Sequence, residues 1–298
     1  MKILITGALG FIGRAALDHF SEEHHVMGID LKALPAKNIF AHQQFSITKA
    51  LIKEAQFDVI INCAGSSNVS QSFQAPEHDF NLNTVLVQNI LCELQQFSPN
   101  TKFLQLSSAA VYGNPQTLPV KELDRTKPLS PYGEHKLLSE QIVTSYANFF
   151  GIRGLSVRIF SAYGPGLRRQ FFSDLYTKFE SDKHQVLLSG TGEETRDFIL
   201  VYDIVKAFDM LIKNASFNGE IYNLASETEI RIRDAAVLFA SIYGYHGKIS
   251  FTEKQLEGYP LNWKADMQKL KALGFATSSS IEEGLELYFN WIKNHKAS

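Results

Sequence analysis

A glycine-rich turn near the start of the chain limits the folds that this sequence can adopt. The β-rich run Lys2–Thr6 enters the turn, and a helix with an apolar face follows from Phe11. In this setting Gly7 permits a tight turn, Gly10 lets a pyrophosphate approach the backbone, and Gly13 lets the helix pack closely on the strand. The first helical amides add partial positive charge. The sequence therefore predicts a dinucleotide-binding βαβ unit.

The rest of the first half repeats this alternation of strand and helix. Apolar runs without polar alternation predict strands that are covered on both faces, and stretches of helical period separate them. The predicted strands are Lys2–Thr6, His25–Asp30, Asp58–Ala64, Lys102–Ser107 and Leu155–Phe160, and the predicted helices lie near Phe11–Phe20, Asp79–Phe97 and Tyr132–Phe150. This pattern predicts an α/β fold with a doubly wound parallel (Rossmann) sheet.

The residue that ends the second predicted strand indicates which dinucleotide binds. Asp30 stands where a carboxylate can accept both hydroxyls of a ribose and would repel a 2′-phosphate. NAD is therefore favoured over NADP. Two alternatives stay open, because Asp30 could instead cap a turn in residues 30–35, and Lys32 or Arg14 could accommodate a phosphate.

The rhythm becomes irregular after Phe160, and a last helix is predicted around Ile281–Lys293. We therefore expect a smaller C-terminal α/β lobe that binds substrate. Residues 1–160 form the predicted NAD-binding Rossmann domain, with 197–225 returning to it, and residues 161–196 and 226–298 form the lobe. No low-complexity linker separates the two parts, so we expect them to pack together.

Charge and metal-ligand content argue against several other kinds of protein. The net charge of −2, from 29 basic and 31 acidic residues, provides no field that would attract nucleic acid or an anionic membrane. The histidines and the two cysteines lack metal-ligand spacing, so we predict no metal, and we expect Cys63 to be an inert buried thiol. The apolar runs are strand-sized and Lys2 begins a strand, so we expect no membrane span and a cytoplasmic protein.

A tyrosine and a lysine four residues apart predict the chemistry. Tyr132 and Lys136 fall on one face of a helix that Pro131 can start. A phenol of ordinary pKa ~10 is a poor base, but a neighbouring ammonium and a positive nicotinamide favour the phenolate, so Tyr132 could shuttle a proton. Lys136 would also bond the nicotinamide ribose, and Ser108, after a buried strand, would bond the substrate oxygen. The alternative is ordinary surface packing, which the glycine turn and Ser108 argue against.

With these residues in place, the chain resembles the extended short-chain dehydrogenase/reductase family over nearly its whole length, in particular its NAD-dependent nucleotide-sugar epimerases and dehydratases. The landmarks occur in order: the glycine turn, residues 58–65, residues 106–113 and residues 130–136. The resemblance implies that Ser108 is the catalytic hydroxyl. With the residues argued above, the predicted cofactor contacts are Gly7, Gly10, Phe11, Ile12, Gly13, Asp30, Leu31, Ala64, Gly65, Asn83, Ser107 and Lys136.

The resemblance also implies substrate contacts beyond Ser108 and Tyr132. Ser161 stands where the family segment after the sixth strand usually has asparagine, and Arg196 corresponds to the arginine that holds the nucleotide diphosphate. A planar guanidinium suits that role because it can bond two oxygens at once. The alternative for Arg196 is a surface ion pair with Asp197 or Glu194.

A second arginine is common in the family before its penultimate helix, and this sequence departs from that pattern. Residues 255–260 contain no arginine. Arg168 or Arg169 is the candidate that could replace it in holding the diphosphate.

The residues after Ser108 bear on the reaction. Dehydratases of the family place acidic residues there, whereas this chain has Ala109 and Ala110, which can neither donate nor accept a proton. We therefore predict an epimerase that oxidises the sugar, at C4, to a transient ketone and reduces it again on the other face. A nucleotide-4-keto-sugar reductase stays open, although the preference for NAD favours the epimerase. An inactive NAD-binding or RNA-binding scaffold is a further alternative, which the intact catalytic residues and the lack of a basic stripe argue against.

The expected partners follow from the same reasoning. The substrate is a UDP-, dTDP- or GDP-linked sugar, and neither nucleic acid nor membrane is expected as a partner. The resemblance also implies a homodimer held by a four-helix bundle, to which Asp79–Phe97 and Tyr132–Phe150 contribute.

Overall fold

Alternating strands and helices make up most of the chain. The computed structural model describes residues 1–31, 39–41, 46–254 and 258–295, so Lys32 lies outside the described residues. The strands are β1 (Lys2–Thr6), β2 (His25–Asp30), β3 (Ile39–Ala41), β4 (Val59–Asn62), β5 (Lys102–Ser108), β6 (Gly154–Ile159), β7 (Ser161–Tyr163), β8 (Gln185–Leu188), β9 (Thr195–Leu200), β10 (Glu220–Leu224), β11 (Glu229–Arg231) and β12 (Lys248–Phe251). The α-helices are α1 (Phe11–Ser21), α2 (Ser46–Ala55), α3 (Val69–Gln74), α4 (Pro76–Phe80), α5 (Leu86–Phe97), α6 (Pro131–Phe150), α7 (Phe171–Ser181), α8 (Val201–Asn214), α9 (Ile232–Tyr243), α10 (Gln268–Lys271) and α11 (Ile281–His295).

Seven parallel strands form the central sheet in the order β10-β6-β5-β4-β1-β2-β3. The chain winds outward from β1 in both directions, so the strand order reverses between β1 and β4. In an open parallel sheet, a ligand crevice lies outside the carboxyl ends of the strands at such a reversal. This topology confirms the predicted α/β doubly wound fold.

The two faces of this sheet are covered by different helices. Ile3 and Ile5 of β1 pack into one core with α1 and α8, which contributes Phe208. Leu4, between them in the sequence, points to the opposite face and packs with α2, α5 and α6, including Ile90 of α5. The alternation of side chains along a strand explains how one apolar run serves two cores.

A third core lies in the second half of the chain. Strands β11, β9 and β7 form a small mixed sheet, and β12 pairs with β8 in parallel. Aromatic side chains from α7, α9 and α11 fill this core, among them Phe172, Phe239 and Tyr288. Strand β10 returns to the central sheet and pairs with β6, and α8 packs on α1. The exact division of the chain into domains stays a prediction.

The boundaries of two elements bear on the site. The predicted helix over Asp79–Phe97 is helical throughout but contains a π turn, Asn81–Val85, between α4 and α5. Such turns insert an extra residue and redirect the side chains beside it. Helix α6 begins as predicted at Pro131, where the Ser130 hydroxyl accepts a hydrogen bond from the Gly133 amide at 3.2 Å. Among the described residues, no helix combines the length and apolar character that crossing a bilayer needs.

Candidate active site

The glycine turn between β1 and α1 leaves room for backbone alone. Gly7 has a φ of +63°, and a Cβ there would lie 2.7 Å from the backbone of Ala64. A Cβ on Gly13 would lie 2.1 Å from the carbonyl oxygen of Gly7. The Gly10 amide donates to that same oxygen at 3.0 Å, which closes the turn. The first turn of α1 therefore presents its free amides beside the carboxyl end of β4, where an anionic group fits.

Asp30, at the end of β2, holds this turn. Its Oδ2 accepts a hydrogen bond from the Leu9 amide at 2.9 Å. Asp30 therefore holds the glycine turn, a role that the sequence reasoning did not consider, and residues 32–35, where it could instead act as a cap, lie outside the described residues. A carboxylate has further acceptor sites, so the predicted ribose contact is compatible with this bond. Leu31 follows with 65% of its side chain exposed.

Gly65, Asn83 and Lys136 converge beside the glycine turn. A Cβ on Gly65 would lie 2.6 Å from Asn83 Oδ1 and 3.3 Å from Lys136 Nζ. Asn83, on the π turn, is 1% exposed, and neither its Oδ1 nor its Nδ2 has a hydrogen-bond partner in the described part of the chain. An unpaired buried amide is costly. These residues therefore fit a polar ligand such as the ribose and nicotinamide of NAD.

Tyr132 and Lys136 lie on the buried face of α6, and Ser108 ends β5 opposite them. Tyr132 is 8% exposed and Lys136 5% exposed. The Ser108 hydroxyl accepts from the Ala110 amide at 3.1 Å and lies close enough to the Tyr132 hydroxyl to lower the pKa of the phenol. The structure thus brings together the three residues predicted to carry the chemistry.

The tyrosine has a higher pKa in this environment than the sequence reasoning expected. Burial raises the pKa of Tyr132 to about 12, the Ser108 hydrogen bond lowers it, and the Asp79 carboxylate raises it. The predicted lowering by Lys136 is not seen in the protein alone, and burial, which penalises the phenolate, has the largest effect on the pKa. The positive nicotinamide, which the same reasoning invoked, is the remaining source of stabilisation for the phenolate.

The lysine is also shifted, in the opposite direction. Burial lowers the pKa of Lys136 to about 8, while Asp79, Cys63 and Glu140 raise it. Its Nζ donates to the Leu106 carbonyl at 3.0 Å, which leaves further N–H donors for a ligand. Burial raises the pKa of the Cys63 thiol to about 12, so this thiol is neutral at physiological pH.

Ser107 faces a different environment from Ser108. Its hydroxyl donates to Glu140, which also forms a two-pronged ion pair with Arg158 at 2.7 and 2.9 Å. All three residues are buried, so their polar groups satisfy one another. The predicted cofactor contact of Ser107 would therefore use its backbone rather than its hydroxyl.

Sequence reasoning missed three residues that support α6 at the site. The Ser72 hydroxyl accepts from the Tyr132 amide at 3.1 Å. Asp79 Oδ2 lies 2.7 Å from Nδ1 of His135, with exposed fractions of 3% and 12% for the two side chains. His135 stands between Tyr132 and Lys136 in the sequence, so its position was the available signal.

Arg196, the residue predicted to hold the nucleotide diphosphate, lies on β9. Its Nη1 donates to the carbonyls of Thr195 at 2.7 Å and Leu261 at 3.3 Å, and its guanidinium lies 5.3 Å from the centre of the Trp263 ring. Burial lowers its pKa to about 10, with Glu194 and Tyr259 raising it, so it stays charged.

The ion-pair alternative for Arg196 does not fit the carboxylates beside it. Glu194 accepts hydrogen bonds from the amides of Thr191 and Gly192. Asp197 accepts from Ser226 and Ala265. Among the described residues, neither carboxylate forms an ion pair with Arg196, which leaves its Nε and Nη2 for a ligand.

The other predicted contacts are more scattered. Ser161 is half-buried at the start of β7, and Ile12 packs on the core between α1 and the sheet. The Phe11 ring lies 3.5 Å from the point that a Cβ on Gly166 would occupy. Arg168 and Arg169 are exposed, and the Arg168 guanidinium lies 5.5 Å from the Trp291 ring centre in α11. In the part of the chain that the structure describes, neither of these two predicted arginines is held beside Arg196.

Known proteins resemble this chain over its full length. A putative UDP-glucose 4-epimerase of Methanocaldococcus jannaschii is 28% identical over 98% of this chain and 99% of the relative. A UDP-glucose 4-epimerase of Mycolicibacterium smegmatis is 25% identical over 99% of both. The solved structure of UDP-glucuronic acid 4-epimerase from Bacillus cereus, in complex with UDP-glucuronic acid and NAD, superposes with a TM-score of 0.89, with 26% identity over 99% of both chains.

The family to which the chain belongs follows from a match that spans the central sheet. Residues 3–225 run from β1 to the end of β10 and contain the glycine turn, Ser108, Tyr132 and Lys136. These residues match the NAD dependent epimerase/dehydratase family. The cofactor is accordingly NAD, and the chain belongs to the NAD dependent epimerase/dehydratase family.

Proposed function

We propose that this chain is an NAD-dependent epimerase of UDP-linked sugars that inverts the configuration at C4. The observation that carries the proposal is the convergence of Ser108, Tyr132 and Lys136 beside the glycine turn and Asn83. The relatives and the solved structure named above act on UDP-sugars, which favours UDP over dTDP and GDP as the nucleotide.

The roles of the residues follow from their chemistry. Tyr132 takes the proton of the C4 hydroxyl and later returns it, and Ser108 donates a hydrogen bond to the same oxygen. Lys136 would bond the nicotinamide ribose, and the Ser108 hydroxyl lowers the pKa of Tyr132. NAD held by the glycine turn, Asn83 and Lys136 would supply a reversible hydride acceptor for the sugar carbon. Net oxidation is zero when the hydride returns to the opposite face of the ketone.

Two alanines support an epimerase over a dehydratase. Ala109 is fully buried and Ala110 lies beside it in the turn after β5. A methyl group can neither protonate a leaving hydroxyl nor remove a ring proton. The acid and base that elimination requires are therefore missing from the positions after Ser108.

The activity test uses purified protein with UDP-glucose, UDP-galactose and UDP-glucuronic acid. NMR of the products should show inversion at C4 without net formation of NADH. A 4-keto-6-deoxy product would identify a dehydratase, and stoichiometric consumption of NADH or NADPH with a keto-sugar would identify a reductase. Either result would overturn the proposed reaction.

The first prediction concerns the proton shuttle. Tyr132→Phe should lower kcat by at least ~100-fold, because general acid–base catalysis of this kind contributes 10²–10⁴-fold. NAD affinity should change little, since the ring remains. Tyr146→Phe is the matched control, because Tyr146 lies on the same helix and its hydroxyl accepts a hydrogen bond from Gln88 at 2.6 Å. If Tyr132→Phe kept a kcat within tenfold of the parent value, Tyr132 would not be the proton shuttle.

The oligomeric state and location belong to the same proposal. Helices α5 and α6 lie side by side, and α6 carries Phe149 and Phe150 with exposed fractions of 79% and 51%. We place the surface of these two helices in a homodimer, which sedimentation analysis tests. We place the enzyme in the cytoplasm, where NAD and nucleotide sugars are both available; fractionation of cells tests that location.

A further inference from the structure

A buried acid–histidine pair lies directly behind the catalytic face of α6. Asp79 Oδ2 and His135 Nδ1 are 2.7 Å apart, and Asp79 is 2% exposed. The edge of the Phe80 ring covers the histidine, with ring centres 5.3 Å apart. Burying a carboxylate costs free energy unless the carboxylate is paired, and His135 supplies that partner for Asp79.

A second bond joins the same two segments. The Thr84 hydroxyl, on the π turn, donates to the backbone carbonyl of His135 at 3.0 Å. The side chain and the backbone of His135 therefore both fasten α6 to the α4 and π-turn segment. Asn83 lies between these two attachment points, next to Thr84, with its own amide unpaired. The pair thus sets where Asn83 stands relative to Lys136.

The pair is also incomplete on the side of Asp79. Its Oδ1 is buried and has no hydrogen-bond partner in the described residues. The charge of Asp79 therefore acts on its surroundings rather than being fully compensated. It raises the pKa of Lys136, which burial lowers to about 8, and it adds to the burial that raises the pKa of Tyr132 to about 12.

The other ionisable groups around Lys136 raise its pKa less than Asp79 does. Glu140, on α6, is compensated by Arg158, and the Cys63 thiol is neutral. Tyr132 is uncharged until it loses its proton. Among the described residues that face the lysine, Asp79 is accordingly the carboxylate with one oxygen that is neither hydrogen-bonded nor ion-paired.

We propose that Asp79 and His135 form a positioning pair for the reaction. The pair fixes the π turn that carries Asn83 against α6, and the Asp79 carboxylate keeps Lys136 charged beside Tyr132. The proposal rests on the proposed function for its catalytic readout. The two residues act through Lys136, Tyr132 and Asn83 and are assigned no contact with the substrate.

The electrostatic role is tested with Asp79→Asn, which keeps the volume and an acceptor oxygen but removes the charge. The Asp79 charge raises the pKa of both the tyrosine and the lysine, so its removal should lower both. Activity should fall on the alkaline side of the kcat profile as Lys136 loses its proton. The alkaline limb should therefore move to lower pH by about one unit in Asp79→Asn. A merely structural defect would lower kcat without moving that limb.

Glu77→Gln is the matched control, because it removes the same charge from an exposed position on the same helix, α4. Its pH profile should coincide with that of the parent. An alkaline limb that stays in place in Asp79→Asn, or that shifts equally in Glu77→Gln, would overturn the electrostatic role.

The positioning role is tested without any sugar substrate. His135→Leu should weaken NAD binding by about tenfold, because the π turn that carries Asn83 loses the attachment that the Asp79–His135 hydrogen bond provides. His135→Asn, whose amide can donate where Nδ1 stands, should restore most of that affinity. Calorimetric titration with NAD remains informative even if no UDP-sugar is epimerised, so failure of this inference is distinguishable from failure of the proposed function. Equal NAD affinity in the parent and His135→Leu would overturn the positioning role.

Discussion

The cofactor side and the substrate side of the site are built in different ways. On the cofactor side, Gly13 lies against backbone, and Asn83 and Lys136 are buried side chains with fixed positions. On the predicted substrate side, Arg196 and Arg168 rest their guanidinium groups on tryptophan rings, at 5.3 and 5.5 Å from the ring centres. The exposed Arg168 side chain can pivot on its ring at small cost, and Arg196, although its Nη1 is bonded to two carbonyls, keeps Nε and Nη2 available, whereas packed backbone cannot move. We therefore expect the fixed half to suit one cofactor and the more adjustable half to suit different sugars.

The largest effect is expected where backbone meets backbone. Gly13→Ala would place its Cβ 2.1 Å from the carbonyl oxygen of Gly7, so α1 or the turn must move. We expect NAD affinity to fall by at least ~100-fold, the equivalent of about 2.7 kcal/mol. Calorimetry with NAD measures this loss.

Gly151→Ala provides the control for Gly13→Ala. Gly151 has a φ of +67° at the end of α6, and a Cβ there would meet nothing within 4 Å. Its substitution should cost only the backbone strain of roughly 1–2 kcal/mol in stability, with NAD affinity unchanged. If Gly13→Ala bound NAD as well as Gly151→Ala, the contrast between a fixed and an adjustable half would fail.

A smaller effect, confined to the other ligand, is expected at Arg196. A hydrogen bond to a charged group contributes ~1.5–3 kcal/mol, so Arg196→Ala should weaken UDP binding by roughly ten- to a hundredfold. Arg196→Lys should recover only part of the lost UDP affinity, because an ammonium cannot form the two-pronged contact. NAD affinity should stay the same. If UDP binding instead falls in Arg168→Ala and not in Arg196→Ala, the diphosphate lies nearer α11.

The smallest effect is expected at Asp30. Asp30→Asn keeps an acceptor for the Leu9 amide, which Asp30 now binds at 2.9 Å, but removes the charge that repels a 2′-phosphate. The ratio of NAD to NADP affinity should fall by about tenfold, while the stability of the turn is preserved. An unchanged ratio would place the discrimination between the cofactors outside Asp30.

The parts of the site that could be predicted share a local origin. The glycine turn, β1 and β2 follow from residues adjacent in sequence, and Tyr132 and Lys136 share a helical face through their spacing. The Asp79–His135 pair could not be predicted, because it joins residues 56 positions apart and depends on how two helices pack. The short strand β8, in which buried and exposed residues alternate, was missed for a similar reason, since its partner β12 lies far along the chain.

The late arrival of β10 in the central sheet has a consequence for synthesis on the ribosome. Residues 154–159 of β6 are all buried in the finished protein, yet their outer edge stays open until residues 220–224 have emerged and paired with them. During that interval the nascent chain carries an apolar strand edge, the kind of surface on which other chains can add. The polypeptide between β6 and β10 thus sets how long the growing chain is vulnerable to aggregation.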